Sequence, residues 1–222
     1  MSFFKSISNQ ILKKFNSKKL KLHEPVFSKA EKENLKFCID SGFVSTSSNG
    51  FFIKKLEKQI KKFTKSRYAI CTINGVSGIH ASLLALDIKK DQEILVPSLT
   101  FVASVHPILY LGAIPHFVEV QEKNFGICPN KLEKYLKLNS YKKGQNLYNK
   151  KTNRRIKGII AVHVFGNPCD IIKIKTIAKK YNLKLVEDAT EALGSFYKNR
   201  HLGTFGDTGV FSFNGNKIIT SG

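Results

Sequence analysis

Lys217 closes the run Val210-Phe211-Ser212-Phe213-Asn214-Gly215-Asn216-Lys217, five residues after Ser212. A lysine just beyond an apolar strand can sit in a partly desolvated pocket, where its amine is free to attack a carbonyl. In so lysine-rich a chain, a surface charge is the plainer reading of any one lysine. The segment Leu185-Val186-Glu187-Asp188-Ala189-Thr190-Glu191 runs an apolar strand out into carboxylates. A carboxylate at a buried strand end needs a cationic partner, and a protonated pyridine nitrogen is one such group. The other role open to Asp188 is a helix N-cap. Asn74-Gly75-Val76-Ser77-Gly78 joins a strand to a helix. Its small residues let backbone N–H groups at the helix start approach a phosphate, although a tight turn explains them equally well. Phe101, in Val96-Pro97-Ser98-Leu99-Thr100-Phe101-Val102-Ala103, either stacks on a flat ring or packs into the core.

Regular elements must hold these segments. Phe52, Leu56, Ile60 and Phe63 recur at helical spacing, and 29–41 is a further predicted helix. A Gly/Ser-rich loop at 41–50 separates the two. Beyond it, predicted strands at 68–73, 94–96, 116–120, 158–162, 183–186, 196–197 and 209–213 alternate with helices at 75–86, 101–111, 129–138 and 171–181. This alternation predicts an α/β fold, a mostly parallel sheet flanked by helices on both faces. Ligands of such sheets gather at the carboxyl ends of the strands. The polar stretch 140–155 is predicted to be an exposed insertion. Residues 1–22 form a basic leader and 23–222 a single large domain.

In chain order the segments read as phosphate turn, aromatic, acidic strand end and Ser-x-x-x-x-Lys. From His23 to Gly222 the chain resembles the DegT/StrS family of sugar aminotransferases, enzymes of the fold type I pyridoxal-phosphate architecture. The likeness rests on the segments at 96–103 and 211–217, on Val162-His163-Val164-Phe165-Gly166-Asn167-Pro168, and on the stretch from Glu187 to Ser195. The last two of these in chain order, Glu187 to Ser195 and Phe211 to Lys217, look most like the subgroup making 4-amino sugars of the bacillosamine or legionaminic-acid type.

The resemblance implies pyridoxal 5'-phosphate (PLP) as cofactor, with Lys217 as the Schiff-base lysine and Asp188 holding the pyridine nitrogen protonated. It implies Glu191 at the ring's phenolic oxygen and Phe101 on the ring face. Ser212, Gly75 and the backbone N–H groups of Val76 and Ser77 would hold the phosphate. It gives His163 no role. The implied substrates are a nucleotide-linked keto-sugar and an amino-acid donor, glutamate in the family, and the implied assembly is a cytoplasmic homodimer. Val76 stands where the family often has a threonine able to reach the phosphate. Related dehydratases carry histidine in place of the lysine, and Lys217 argues against that chemistry. Family members continue well past the position of Gly222. The chain is therefore expected to be C-terminally truncated and inactive alone, and a catalytically dead chain that binds only cofactor or a partner stays open as the alternative.

Composition narrows the partners. Thirty-seven Lys and Arg oppose 16 Asp and Glu, a net charge of +21. The lysines sit beside apolar helical positions, so a solvated face is the favoured reading, with an anionic-ligand field kept open. Nucleic acid is set aside, because no zinc-finger spacing or RNA-binding aromatic motif is present. Cys38, Cys71, Cys128 and Cys169 are far apart and are expected to be buried free thiols of a reducing compartment. The most apolar stretch, 101–118, is interrupted by His106, Pro107, Gly112 and Pro115, so no membrane span is expected. Ile7, Ile11, Leu12 and Phe15 give the leader one apolar helical face, for which packing against a partner is favoured over a membrane surface.

Overall fold

Glu-Ile-Leu-Val-Pro at 93–97 is buried at every position, as a central parallel strand covered by helices on both faces must be. The computed structural model describes residues 2–16, 19, 23–42 and 50–221. The chain divides into two units, 1–42 and 43–222, and each is described by itself. The first holds helices α1 (Ser2–Lys14) and α2 (Lys29–Asp40). α2 begins at a capping box, in which the Ser28 side chain accepts from the first turn and the Glu31 carboxylate accepts the Ser28 N–H at 2.6 Å.

The second unit carries the sheet. Five parallel strands run in the order β2 (Ile114–Val118), β1 (Glu93–Pro97), β5 (Arg155–Val162), β6 (Lys184–Asp188), β9 (Thr208–Val210), and the chain between β6 and β9 makes a separate two-stranded hairpin of β7 (Phe196–Tyr197) and β8 (Arg200–His201). Side chains alternate between its faces. Ile94, Val96, Ile160, Val162, Val186 and Val210 pack with Ile79 and Leu83 of α4 (Gly75–Ala85) and Ile108 of α5 (His106–Tyr110). Leu95, Ile159, Ala161 and Leu185 point the other way, onto Leu132 and Leu136 of α6 (Pro129–Asn139) and Ile171 and Ile174 of α7 (Ile171–Tyr181). The result is the expected α/β fold, a mostly parallel sheet between two helical layers.

Four expectations change. Residues 68–73 form no strand, and Tyr68, Ile70 and Ile73 are 74%, 82% and 90% exposed. A strand exists through its ladder partners, and among the described residues none lies beside this stretch. Its Cys71 N–H instead donates to Glu57 of α3 (Phe51–Thr64) at 2.9 Å. The helix expected at 101–111 breaks into a 3-10 turn, Val102–Ser104, and the short α5, which has Pro107 in its first turn. The polar stretch 140–155 is exposed over most of its length, as expected, but it is part of the sheet. It folds into a hairpin of β3 (Ser140–Lys143) and β4 (Asn146–Asn149), which joins the sheet antiparallel to the start of β5 and buries Leu147. All four thiols are free, but only Cys169 is buried and Cys71 is exposed. Most of the Gly/Ser-rich loop lies outside the described residues.

Glu93 anchors the hairpin from the amino end of the sheet. Its buried carboxylate meets His116 Nδ1 at 2.8 Å and accepts from Asn149 Nδ2 at 2.9 Å and Thr152 Oγ1 at 2.5 Å. Burial pushes its pKa up, but the hydrogen bonds from His116, Thr152 and Asn149 and the charge of His116 outweigh that and hold it below the ordinary 4.5. A depressed carboxyl pKa stabilises the fold above the unfolded value, and that contribution is lost as pH falls through the folded one. Glu93→Gln is therefore expected to lower the urea midpoint at pH 7, with the gap to wild type closing below about pH 4 as both side chains become neutral. A gap that stays constant from pH 7 to pH 3 would contradict this role.

Candidate active site

Parallel strands share one carboxyl edge, and the sequence-predicted residues gather along it. β6 ends on Glu187 and Asp188, which the strand's alternation sends to opposite faces. Asp188, 5% exposed, turns toward the α4 side. Its Oδ2 accepts from Ser104 Oγ at 2.6 Å and its Oδ1 from the Thr190 N–H at 3.2 Å. Thr100 Oγ1 lies 2.7 Å from Ser104 Oγ, so the loop after β1 carries a hydroxyl pair onto the carboxylate. Among the described residues, no lysine, arginine or histidine pairs with Asp188.

The helix start is close by. A Cβ placed on Gly75 would come 3.2 Å from Thr190 Cγ2 and 3.9 Å from Ser212 Oγ, which puts the first turn of α4 against the loops after β6 and β9. Asn74 caps this helix, its Oδ1 accepting the Ser77 N–H at 2.8 Å. The Gly75 and Val76 N–H groups make no hydrogen bond among the described residues, so the anion-attracting end of the helix keeps two donors. The Ser77 N–H, also expected at the phosphate, is occupied by the cap.

Lys217 Nζ donates to Glu191 Oε1 at 3.1 Å, and the lysine side chain is 15% exposed. The other Glu191 oxygen accepts the Phe165 N–H at 3.0 Å, tying this pair to the loop after β5. Phe101 stands between Thr100 and the 3-10 turn and is 76% exposed. The structure thus brings Gly75 beside Ser212, and Lys217 onto Glu191. It holds Asp188 through Ser104 and Thr190, which sequence reasoning missed. Ser104 carried no signal, because a serine inside an expected helix reads as neutral.

Glu187 has a different task. It is fully buried and accepts from His163 Nε2 at 2.9 Å and from the N–H groups of Gly203, Phe205 and Gly206 at 2.9, 2.5 and 2.6 Å. His163 Nδ1 accepts the Cys169 N–H at 3.3 Å, so the proton of a neutral ring lies on Nε2 and points at Glu187. The turn at 203–206 can approach this closely because a Cβ on Gly203 would meet the Phe211 ring at 2.7 Å and one on Gly206 the Leu185 carbonyl at 2.5 Å. His163, which had no assigned role, is a strut that fixes the end of β6.

Glu187→Gln turns an amide toward donors that need an acceptor. Leaving buried donors unsatisfied costs about 1–3 kcal/mol each, so the variant is expected to lose on the order of 3 kcal/mol in urea unfolding at pH 7. A loss within about 0.5 kcal/mol, the range of ordinary surface substitutions, would show that the strut carries no load.

The model of the DegT/DnrJ/EryC1/StrS aminotransferase family matches residues 25–222. The GDP-perosamine synthase of Escherichia coli O157:H7 is 37% identical over 205 residues, covering 92% of this chain and 51% of that protein. A solved aminotransferase from Psychrobacter cryohalolentis superposes with a TM-score of 0.78 at 31% identity, over 90% of this chain and 46% of that one. A putative sugar aminotransferase of Streptococcus pneumoniae, solved in its PLP form, shares the fold at a TM-score of 0.76 and 24% identity, over 90% of this chain and 50% of that one. The chain spans about half the length of the relatives it matches. It belongs to the DegT/DnrJ/EryC1/StrS aminotransferase family.

Proposed function

We propose that this chain is the cofactor-holding part of a PLP-dependent aminotransferase that moves an amino group from an amino acid, glutamate, to the keto carbon of a nucleotide-linked sugar. The observation that carries this reading is the character of Asp188, a buried carboxylate held by two neutral donors and lacking a cationic protein partner among the described residues. Such a group suits a protonated ring nitrogen.

The rest of the edge fits the same cofactor. The Gly75 and Val76 N–H groups and Ser212 Oγ suit its phosphate, and the absence of a side chain on Gly75 keeps that approach open. Glu191 suits the phenolic oxygen and Phe101 the ring face. Val76 contributes only its backbone. PLP supplies an electron sink for charge that develops on the substrate carbon. Lys217 Nζ is the amine that would carry it and then move the proton at the carbon bearing nitrogen. Glu191, already 3.1 Å from Nζ, orients that amine.

The E. coli relative's name supports a GDP-linked 4-keto sugar as the first substrate to test. A homodimer and a cytoplasmic setting complete the reading. Exposed Ile70, Ile73, Ile218 and Ile219 leave apolar surface for further chain or a second copy, and four unpaired thiols suit a reducing compartment.

The test transfers labelled nitrogen from glutamate to a GDP-linked 4-keto sugar, using a protein that carries this segment at the full length of its relatives. Amination that depends on added PLP is expected. Asp188→Asn should bind PLP more weakly and slow amination by orders of magnitude, because the ring nitrogen is no longer held protonated. Near-normal turnover of that variant, or PLP binding with no amination of any keto-sugar, would contradict the proposal. Ser104→Ala is expected to weaken PLP binding to the 222-residue chain by roughly tenfold, the effect of about 1.4 kcal/mol, and Ser104→Thr to restore it. Equal affinities for all three would remove Ser104 from the site.

A further inference from the structure

We infer that α1 is an interfacial anchor that lays its apolar face into an anionic lipid surface. The helix spans Ser2–Lys14 and lies outside the family-matched segment, so the shared fold of the family assigns it no role. Phe3, Phe4, Ile7 and Ile11 fall on one side at helical spacing, and Phe15 follows the last turn. Their exposures are 69%, 77%, 40%, 45% and 64%, an uncovered apolar stripe on a short helix. Lys5, Asn9 and Lys13 line the opposite side, and Lys14 falls in line with the stripe at its carboxyl end, where its long stem can reach back to a polar surface.

Charge selects the occupant. The sequence from Met1 to Leu22 contains Lys5, Lys13, Lys14, Lys18, Lys19 and Lys21 and no acidic residue. Packing the stripe against another copy of itself would bury Lys14 in a seam less than two heptads long and bring together two lysine-bearing segments that have no acidic residue to pair with them. An anionic bilayer accepts the same lysines as counter-ions while its acyl boundary covers the phenylalanines and isoleucines. The thirteen residues make a helix of roughly 20 Å, too short to cross the hydrocarbon layer and suited to lying in its surface.

The chain contains no tryptophan, so Phe4→Trp gives a single emitter on the stripe. With the 222-residue chain and vesicles of mixed phosphatidylglycerol and phosphatidylcholine, emission is expected to shift to the blue, with no shift on phosphatidylcholine alone. Adding Ile7→Glu and Ile11→Glu in that background should lower vesicle partitioning at least roughly tenfold and abolish the shift. Lys54→Glu with Lys58→Glu on α3 should leave the shift in place, which separates the helix from the general charge of +21. Three results would overturn the proposal. One is co-sedimentation with no blue shift, the mark of bulk charge alone. Another is binding unchanged by the Ile7 and Ile11 substitutions. The third is a blue shift that rises with protein concentration in the absence of lipid, the mark of a second copy covering the stripe.

Discussion

Burying a carboxylate costs several kcal/mol unless donors reach it, and β6 ends on two in succession. Strand alternation sends them to opposite faces, and each face answers differently. Glu187 is saturated by His163 and by three amide groups of the 203–206 turn. Among the described residues, the Asp188 carboxylate receives Ser104 and the Thr190 N–H. The saturated carboxylate fixes where the strand stops, and the other is left with capacity for a ligand cation. The remaining site residues are arranged around that fixed strand end. The α4 N-terminus approaches it through Gly75, and Lys217 returns to the same edge through Glu191.

The ends of the sheet divide the labour. At the amino end, Glu93 collects the β2 side chain His116, the hairpin residue Asn149 and Thr152 of the turn that follows it. At the carboxyl end, loops leave the parallel strands in one direction and bring their polar residues together. Buried acids at strand termini thus stand at both edges of the sheet, Glu93 at one and Glu187 with Asp188 at the other.

Much of this was legible in the sequence, because unbroken apolar runs such as Ile94–Val96 and Gly158–Val162 leave few ways to be buried. The site segments were legible for a related reason. Carboxylates, glycines and a lysine directly after apolar strands are unusual enough to stand out. What escaped notice depended on partners distant in the chain. The 68–73 run has strand-like residues, yet a ladder needs a neighbour that the pattern cannot supply. The 140–149 hairpin is polar because its outer face meets water, and Leu147 alone betrays the buried side. Ser104 and His163 act through residues 84 and 24 positions away, and no local spacing announces that.

The central claim is that Asp188, Lys217 and the α4 N-terminus form one cofactor site. Incubating the 222-residue chain with PLP, reducing it with borohydride and sequencing the labelled peptides by mass spectrometry tests this most directly. The account predicts one dominant pyridoxyl label, on Lys217, that is lost in Asp188→Asn at PLP concentrations which label wild type. Labels spread over the surface lysines, or a single label on another lysine, would contradict it.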